Sequence, residues 1–276
     1  MSRPKLLDLC GCEGGGSAGY SKHFDVYVID MDANRLKYNP YPSAHMDALL
    51  ALSILIAGGR IAFTRKDGTV EWLGLADFAA IHVSPPCQGY TRGNAGKVTS
   101  WPKLIPDFRV LLEQTGLPYV IENVRDAAWD MHDPILLCGC MFDLSIRDYT
   151  CTSPGEHIGT CDTVRGVVVH LERGRLFETN WELTPPRRCE GEGQPRNNHP
   201  SHDWVAGAYG GSRRDKFEAR YIRKGGYVPP DTRIVKALLG VEHEMTQRGL
   251  FECLPPAYTD YIGGELMAHL ESERAA

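Results

Sequence analysis

Residues 80–88, Ala-Ile-His-Val-Ser-Pro-Pro-Cys-Gln, close an apolar run on two prolines and set a cysteine and a glutamine directly after them. Proline has no N–H and fixes its own φ, so Pro85 and Pro86 end the strand expected over 78–83 and stiffen the backbone beyond it. Cys87 therefore stands on a rigid loop just past a strand end, the edge at which open α/β sheets bind ligands. A turn carrying an incidental buried thiol is the competing reading, because unpaired cysteines are often buried. One strand later, Tyr119-Val120-Ile121-Glu122-Asn123-Val124 places a carboxylate at the corresponding end.

A second constellation lies near the N-terminus. The short apolar run Lys5–Leu9 leads into Cys-Gly-Cys-Glu-Gly-Gly-Gly at 10–16, and the next strand, Val26–Asp30, ends on an acid. A glycine-rich turn between strand and helix lets a ligand approach the backbone closely. The spacing is not that of a dinucleotide fingerprint. Asp30, at the second strand end, suits ribose hydroxyls, and Asp47, after the third, suits an adenine amino group. Acids without a nearby base around Gly14 and Gly15 favour an adenosine ligand that lacks a diphosphate. S-adenosylmethionine fits, because its sulfonium is a cation. Asp30 as a helix cap or a solvated strand end is the plainer alternative.

The elements that must position these residues follow from periodicity. Apolar strands alternate with helical stretches, Ala48–Ala57 after Asp47 and 102–116 with Leu104, Ile105, Phe108, Leu111 and Leu112 on one side. This predicts an α/β fold, a mostly parallel Rossmann-like sheet with helices on both faces. Residues 60–74 read as a hairpin turning at Lys66-Asp67-Gly68, further short strands are expected at 135–137 and 167–171, and 257–270 returns to helical periodicity. Between 184 and 230 glycine, proline, asparagine and arginine dominate. The expected division is a catalytic and cofactor-binding domain at 1–182, a small loop-rich domain at 183–236, and a C-terminal segment at 237–276 returning to the first.

The chain has 276 residues and a net charge of −5. Residues 183–236 carry 11 Lys and Arg against 6 Asp and Glu, hence +5, which leaves about −10 for the remainder. An acidic body with one basic patch fits a protein that meets a polyanion through one face; a solvated loop with chance arginines is the alternative. The longest apolar helical run is too short to cross a bilayer, and no signal peptide is read at the N-terminus. Nine cysteines at irregular spacing are expected as reduced thiols in a cytoplasmic protein.

Taken in order, Asp8-Leu9 with Gly14-Gly15, Ser84-Pro85-Pro86-Cys87-Gln88, Glu122-Asn123-Val124, Arg173-Gly174-Arg175-Leu176-Phe177 and Pro255-Pro256-Ala257-Tyr258-Thr259-Asp260-Tyr261-Ile262-Gly263 resemble the motifs of the DNA cytosine-C5 methyltransferases, most closely their short actinobacterial and phage-type forms. The resemblance covers nearly the whole chain apart from the hairpin at 60–74 and residues 143–170. It departs at Cys10, where the family usually has phenylalanine against the adenine, at Cys12, where glycine is common, and at Leu171, where glutamine is usual.

The resemblance implies S-adenosylmethionine as cofactor, held by Asp8, Cys10, Gly14, Gly15, Asp30, Met31, Asp47 and Pro85. It implies Cys87 as nucleophile on cytosine C6, Glu122 at N3 and the exocyclic amine, Arg175 at O2, and Arg173 near the thiolate or a target phosphate. This is sound chemistry, since cytosine C5 attacks a methyl donor only after a thiolate has added to C6. The expected substrate is double-stranded DNA with the target base flipped out. Gln88, Arg213, Arg214 and Lys216 are the expected DNA contacts, with the protein a monomer on DNA in a bacterial or phage-infected cell. A restriction endonuclease partner is not readable. Methylation of RNA, transfer of another group to C5 and a silent DNA-binding homologue are the alternatives. Cys138, Cys140, Cys151, Cys161 and Cys189, with His157 nearby, invite a zinc reading, but their spacing matches no familiar module, and no metal is expected.

Overall fold

In the central strands every second residue faces the same helical layer, and that alternation positions the site. The computed structural model describes residues 3–91, 101–148, 167–189, 204–206 and 232–275. Five parallel strands run in the order β3 (Ser43–His45), β2 (Asp25–Asp30), β1 (Lys5–Leu9), β6 (Ala80–Val83) and β7 (Tyr119–Val124). The chain leaves β1 to one side for β2 and to the other for β6, so the sheet reverses its winding between β1 and β6, which is the switch point of a doubly wound fold. The hairpin β4 (Arg60–Thr64) and β5 (Val70–Gly74) extends one edge antiparallel, as expected from Asp67-Gly68. At the other edge β11 (Arg175–Thr179) runs antiparallel to β7 and pairs with β8 (Ile135–Leu137).

Leu7 and Leu9, Tyr27 and Ile29, Ile81 and Val83, and Tyr119 and Ile121 face α3 (Ala48–Ile56) and α4 (Ile105–Thr115), in one core with Leu52, Leu55, Phe108 and Leu112. Burying each such leucine or phenylalanine is worth about 1.5–3 kcal/mol. The intervening residues Asp8, His82 and Glu122 face the other layer, toward α1 (Gly15–Tyr20) and α7 (Pro256–Ala275). The alternation that builds the core therefore also aligns three polar side chains on one face.

Two compact units emerge: 1–137 with 174–185 and 256–276, and 138–173 with 186–255. β11, at 175–179, lies between the two stretches of the second unit and belongs to the first unit. In the second unit β10 (Val167–Leu171) pairs antiparallel with β9 (Ser145–Asp148) and parallel with β12 (Trp204–Ala206). Its core joins Val169 and Leu171 to Val235, Leu238 and Leu239 of α5 (Thr232–Leu239) and to Leu250 of α6 (Gln247–Glu252). Among the described residues, no helix is long and apolar enough to cross a membrane.

Candidate active site

The glycine-rich turn is bent by left-handed residues. Gly14 has φ +86°, and Cys10 and Cys12 have φ of 59° and 49°. Asparagine, aspartate or glycine usually fills such positions, so both cysteines carry backbone strain. A glycine at 12 would adopt this backbone without strain. The Asp30 carboxylate ties the turn to the end of β2: Cys12 N donates to one oxygen at 2.9 Å and Asp32 N, just past the strand, to the other at 2.8 Å. Asp30 is buried.

Gly19 explains why the C-terminal motif accompanies the glycine turn. A Cβ there would lie 2.0 Å from the Pro256 carbonyl oxygen, so only glycine lets α1 meet the start of α7. Thr259 Oγ1 completes the contact by donating to the Gly16 carbonyl at 2.6 Å.

Asp8 accepts from Ser17 Oγ at 2.5 Å. Burial, with the charges of Asp30 and Glu122 adding to it and the Ser17 hydrogen bond opposing it, raises its pKa to about 7. A carboxyl group held this way is relieved by a nearby cation. Burial, reinforced by Asp30 and the other acids, likewise pushes the Cys10 thiol well up, which leaves it a poor nucleophile. Gly15 opens α1, and Met31 is largely exposed beyond β2, its carbonyl within 2.9 Å of His45 Nε2. Asp47 caps α3, accepting from Leu50 N at 2.9 Å.

The Pro-Pro-Cys-Gln loop is fastened at three points. Ser84 N donates to the Leu9 carbonyl at 3.1 Å, and Asn123 Nδ2 donates to the Pro85 carbonyl at 3.0 Å. Cys87 then opens a single 3-10 turn over 87–89, its carbonyl accepting from Tyr90 N, Thr91 N and Thr91 Oγ1. The Cys87 thiol is partly exposed, and Gln88 shares its turn. Next to Asn123, the Glu122 carboxylate pairs with Arg175 Nε at 3.1 Å, both side chains being largely buried. Arg175 also donates to the Gly174 carbonyl at 3.0 Å.

Sequence reasoning missed His82, which reads as an ordinary strand residue. Its Nδ1 lies 3.0 Å from Tyr20 Oη and its Nε2 2.9 Å from Ser84 Oγ. Burial drives its pKa down to about 3, so the ring is neutral and links α1 to the loop. Its only sequence signal is a polar residue on the Asp8 face of an otherwise apolar strand.

Arg173 and Arg175 do not share a setting. Arg173 belongs to the second unit, is fully buried, and donates to the Phe251 carbonyl at 2.7 Å. Arg213, Arg214 and Lys216 lie outside the described residues.

Asp8 makes stability depend on pH in a defined sense. Between about pH 4 and pH 7 the folded protein holds a proton that the unfolded chain has lost, so stability falls as pH rises through that window. His82 acts oppositely: the unfolded chain binds its proton between about pH 6.5 and pH 3, so stability falls as pH drops through that range. Urea titrations of wild type and Asp8→Asn should show the variant gaining relative to wild type from pH 5 to pH 8. A difference constant across that range contradicts the raised pKa.

No protein-family model matches the sequence, and no curated protein matches it. Solved structures do. A protein described as a DNA modification methyltransferase encoded within an E. coli prophage is 13% identical over 98% of this chain and 99% of its own, with a TM-score of 0.49. A methyltransferase of Entamoeba histolytica is 12% identical over 98% and 99%, with a TM-score of 0.47. A SAM-dependent methyltransferase of Agrobacterium tumefaciens is 19% identical over 66% of this chain, which spans 57% of that protein, with a TM-score of 0.35. The doubly wound arrangement rests on the strand order rather than on these likenesses.

Proposed function

We propose that the protein transfers a methyl group from S-adenosylmethionine to C5 of a cytosine flipped out of double-stranded DNA, with Cys87 as the nucleophile. The observation that carries this reading is the hydrogen bond from Asn123 to the Pro85 carbonyl. It couples the loop that holds a partly exposed thiol to the strand end that holds the Glu122–Arg175 pair. The Cys87 thiolate adds to C6 of the base, forming an S–C bond and making C5 enamine-like. Glu122 engages N3 and the exocyclic amine, where charge develops, and Arg175 donates to O2. C5 would take the methyl group as its bond to the sulfonium breaks, releasing S-adenosylhomocysteine; a base then removes the C5 proton and the thiolate leaves, restoring the aromatic ring and the free enzyme.

The pocket for the cofactor lies at the switch between β1 and β6. The charges of Asp30 and Glu122 give it a negative field, felt at Asp8, and Asp30 braces the turn. A sulfonium is suited to such surroundings, and S-adenosylmethionine supplies there an electrophilic methyl group. Asp30→Ala should weaken S-adenosylmethionine by about 1–3 kcal/mol, the scale of losing charge-assisted hydrogen bonds; Asp47→Ala should weaken it less. Calorimetry with unchanged affinity in both variants would count against this pocket.

Extruding the base costs about a few kcal/mol. We assign that task, and sequence reading, to Gln88 and to the basic residues between 183 and 236, Arg213, Arg214 and Lys216 among them. The reading is tested by supplying duplex DNA and transfer RNA in parallel with labelled S-adenosylmethionine. The expected result is 5-methylcytosine in the DNA alone. Label in RNA alone, or on an exocyclic amine, would refute it.

A further inference from the structure

The second unit is built from two stretches of chain, and three thiols meet where they begin. Cys138 and Cys140 lie at the start of the first stretch and Cys189 just inside the second. Cys138 precedes the 3-10 turn over 139–142. Gly139 lets that turn lie against β10, since a Cβ there would fall 2.2 Å from the Leu171 carbonyl oxygen. The three sulfurs all lie within 4.8 Å of one another, with Cys140 Sγ and Cys189 Sγ 3.5 Å apart. Cys138 and Cys189 are buried, and Cys140 is partly so. Arg187, two residues before Cys189, donates to the Cys140 carbonyl and pairs with Asp143, holding the two stretches together at the same place.

We propose that Cys138, Cys140 and Cys189 bind one zinc ion, which cross-links the two stretches of the second unit. The distances match this chemistry. Thiolates about 2.3 Å from a tetrahedral zinc lie about 3.8 Å from one another, and thiolate donors select zinc over magnesium or calcium. A disulfide would draw two sulfurs to about 2.05 Å and leave the third thiol unused. Three sulfurs converging with one pair at 3.5 Å are arranged for a shared ion. Among the described residues the cluster has three donors, which leaves the fourth position to water. The gain is structural. Among the described residues the core of the second unit is small, and small cores depend on such staples. Cys140 and Cys189 are 49 residues apart, and closing so long a loop removes substantial freedom from the unfolded chain. The expected absence of metal rested on the resemblance and on spacing; folding removes the objection of spacing, because Cys189 reaches the Cys138–Cys140 pair only in three dimensions.

This inference stands apart from the methyl-transfer reading, and its test uses no catalytic readout. The full chain is expressed in zinc-supplemented medium and purified under reducing conditions without chelator. Elemental analysis and native mass spectrometry should find one zinc per chain, retained in Cys12→Ser and lost in the Cys138→Ser, Cys140→Ser, Cys189→Ser triple variant. Should that variant fail to fold, wild type alone decides. Cys138, Cys140 and Cys189 should resist alkylation until a chelator is added, and replacing zinc by cobalt should produce thiolate-to-cobalt charge-transfer absorption. Protein without zinc, zinc retained by the folded triple variant, or the same three thiols alkylated equally with and without chelator would each overturn the proposal.

Discussion

Cys87→Ser is expected to lower methyl transfer to DNA by at least about 10³-fold, the scale on which removing a covalent nucleophile acts. A serine hydroxyl is nearly isosteric with the thiol but is far from ionised at neutral pH, and no S–C6 bond can form. Binding should survive, because the loop is held by groups the substitution leaves alone: Ser84 N on Leu9, Asn123 on Pro85, and the Cys87 carbonyl on Tyr90 and Thr91. Cys10, beside the same acidic face, is no substitute. Burial and the acids beside it push its thiol well up. Single-turnover methyl transfer, with calorimetry on S-adenosylmethionine, separates the effects. Full activity in the serine variant would remove Cys87 from the chemistry.

Glu178→Ala should be the most damaging single change to stability. Glu178 in β11 receives two hydrogen bonds from Arg109 of α4, Nε to Oε1 at 2.6 Å and NH2 to Oε2 at 2.8 Å, and a third from His132 N at 2.8 Å. Arg109 also donates to the Asp130 carbonyl at 2.7 Å. Both side chains are almost wholly buried. Removing one partner strands the other charge, which costs about 3–5 kcal/mol. Glu178 stands opposite Ile121, one register step from the Phe177–Glu122 pair. Loosening β11 should therefore disturb the Glu122–Arg175 pair as well as the fold. Urea denaturation of Glu178→Ala and of the doubly substituted Arg109→Met, Glu178→Leu should show the apolar pair to be less harmful than the single change. A single variant as stable as wild type would mean that the pair holds nothing in place.

What could be read from the sequence was local. The strand at 80–83, the stop at Pro85-Pro86, the hairpin at Asp67-Gly68 and the acid at the end of β2 each follow from neighbouring residues, and each stands where it was expected. The face shared by Asp8, His82 and Glu122 was implicit in the period of two, yet His82 passed as a core residue because nothing in the sequence names Tyr20 and Ser84 as its partners. β11 was harder. Its pairing with β7 joins residues about fifty positions apart, and a five-residue strand beside a loop-rich stretch carries little periodicity. The boundary between the compact units, which falls between Arg173 and Arg175 only two positions apart, has no signal in the sequence either. Asp47 shows the limit of assigning one role per side chain, since an acid placed for a ligand is also the N-cap of α3.

The central claim is a covalent bond between Cys87 and cytosine C6, and it is tested by offering the protein a duplex in which the target cytosine is replaced by 5-fluorocytosine. With fluorine at C5 no proton can be removed, so the enzyme that has added and alkylated the base cannot leave it. Intact-mass and peptide analysis should then show a DNA adduct that needs S-adenosylmethionine, maps to Cys87 and is missing from Cys87→Ser. An adduct on another cysteine, or turnover of ordinary DNA with no adduct on the fluorinated duplex, would contradict the account.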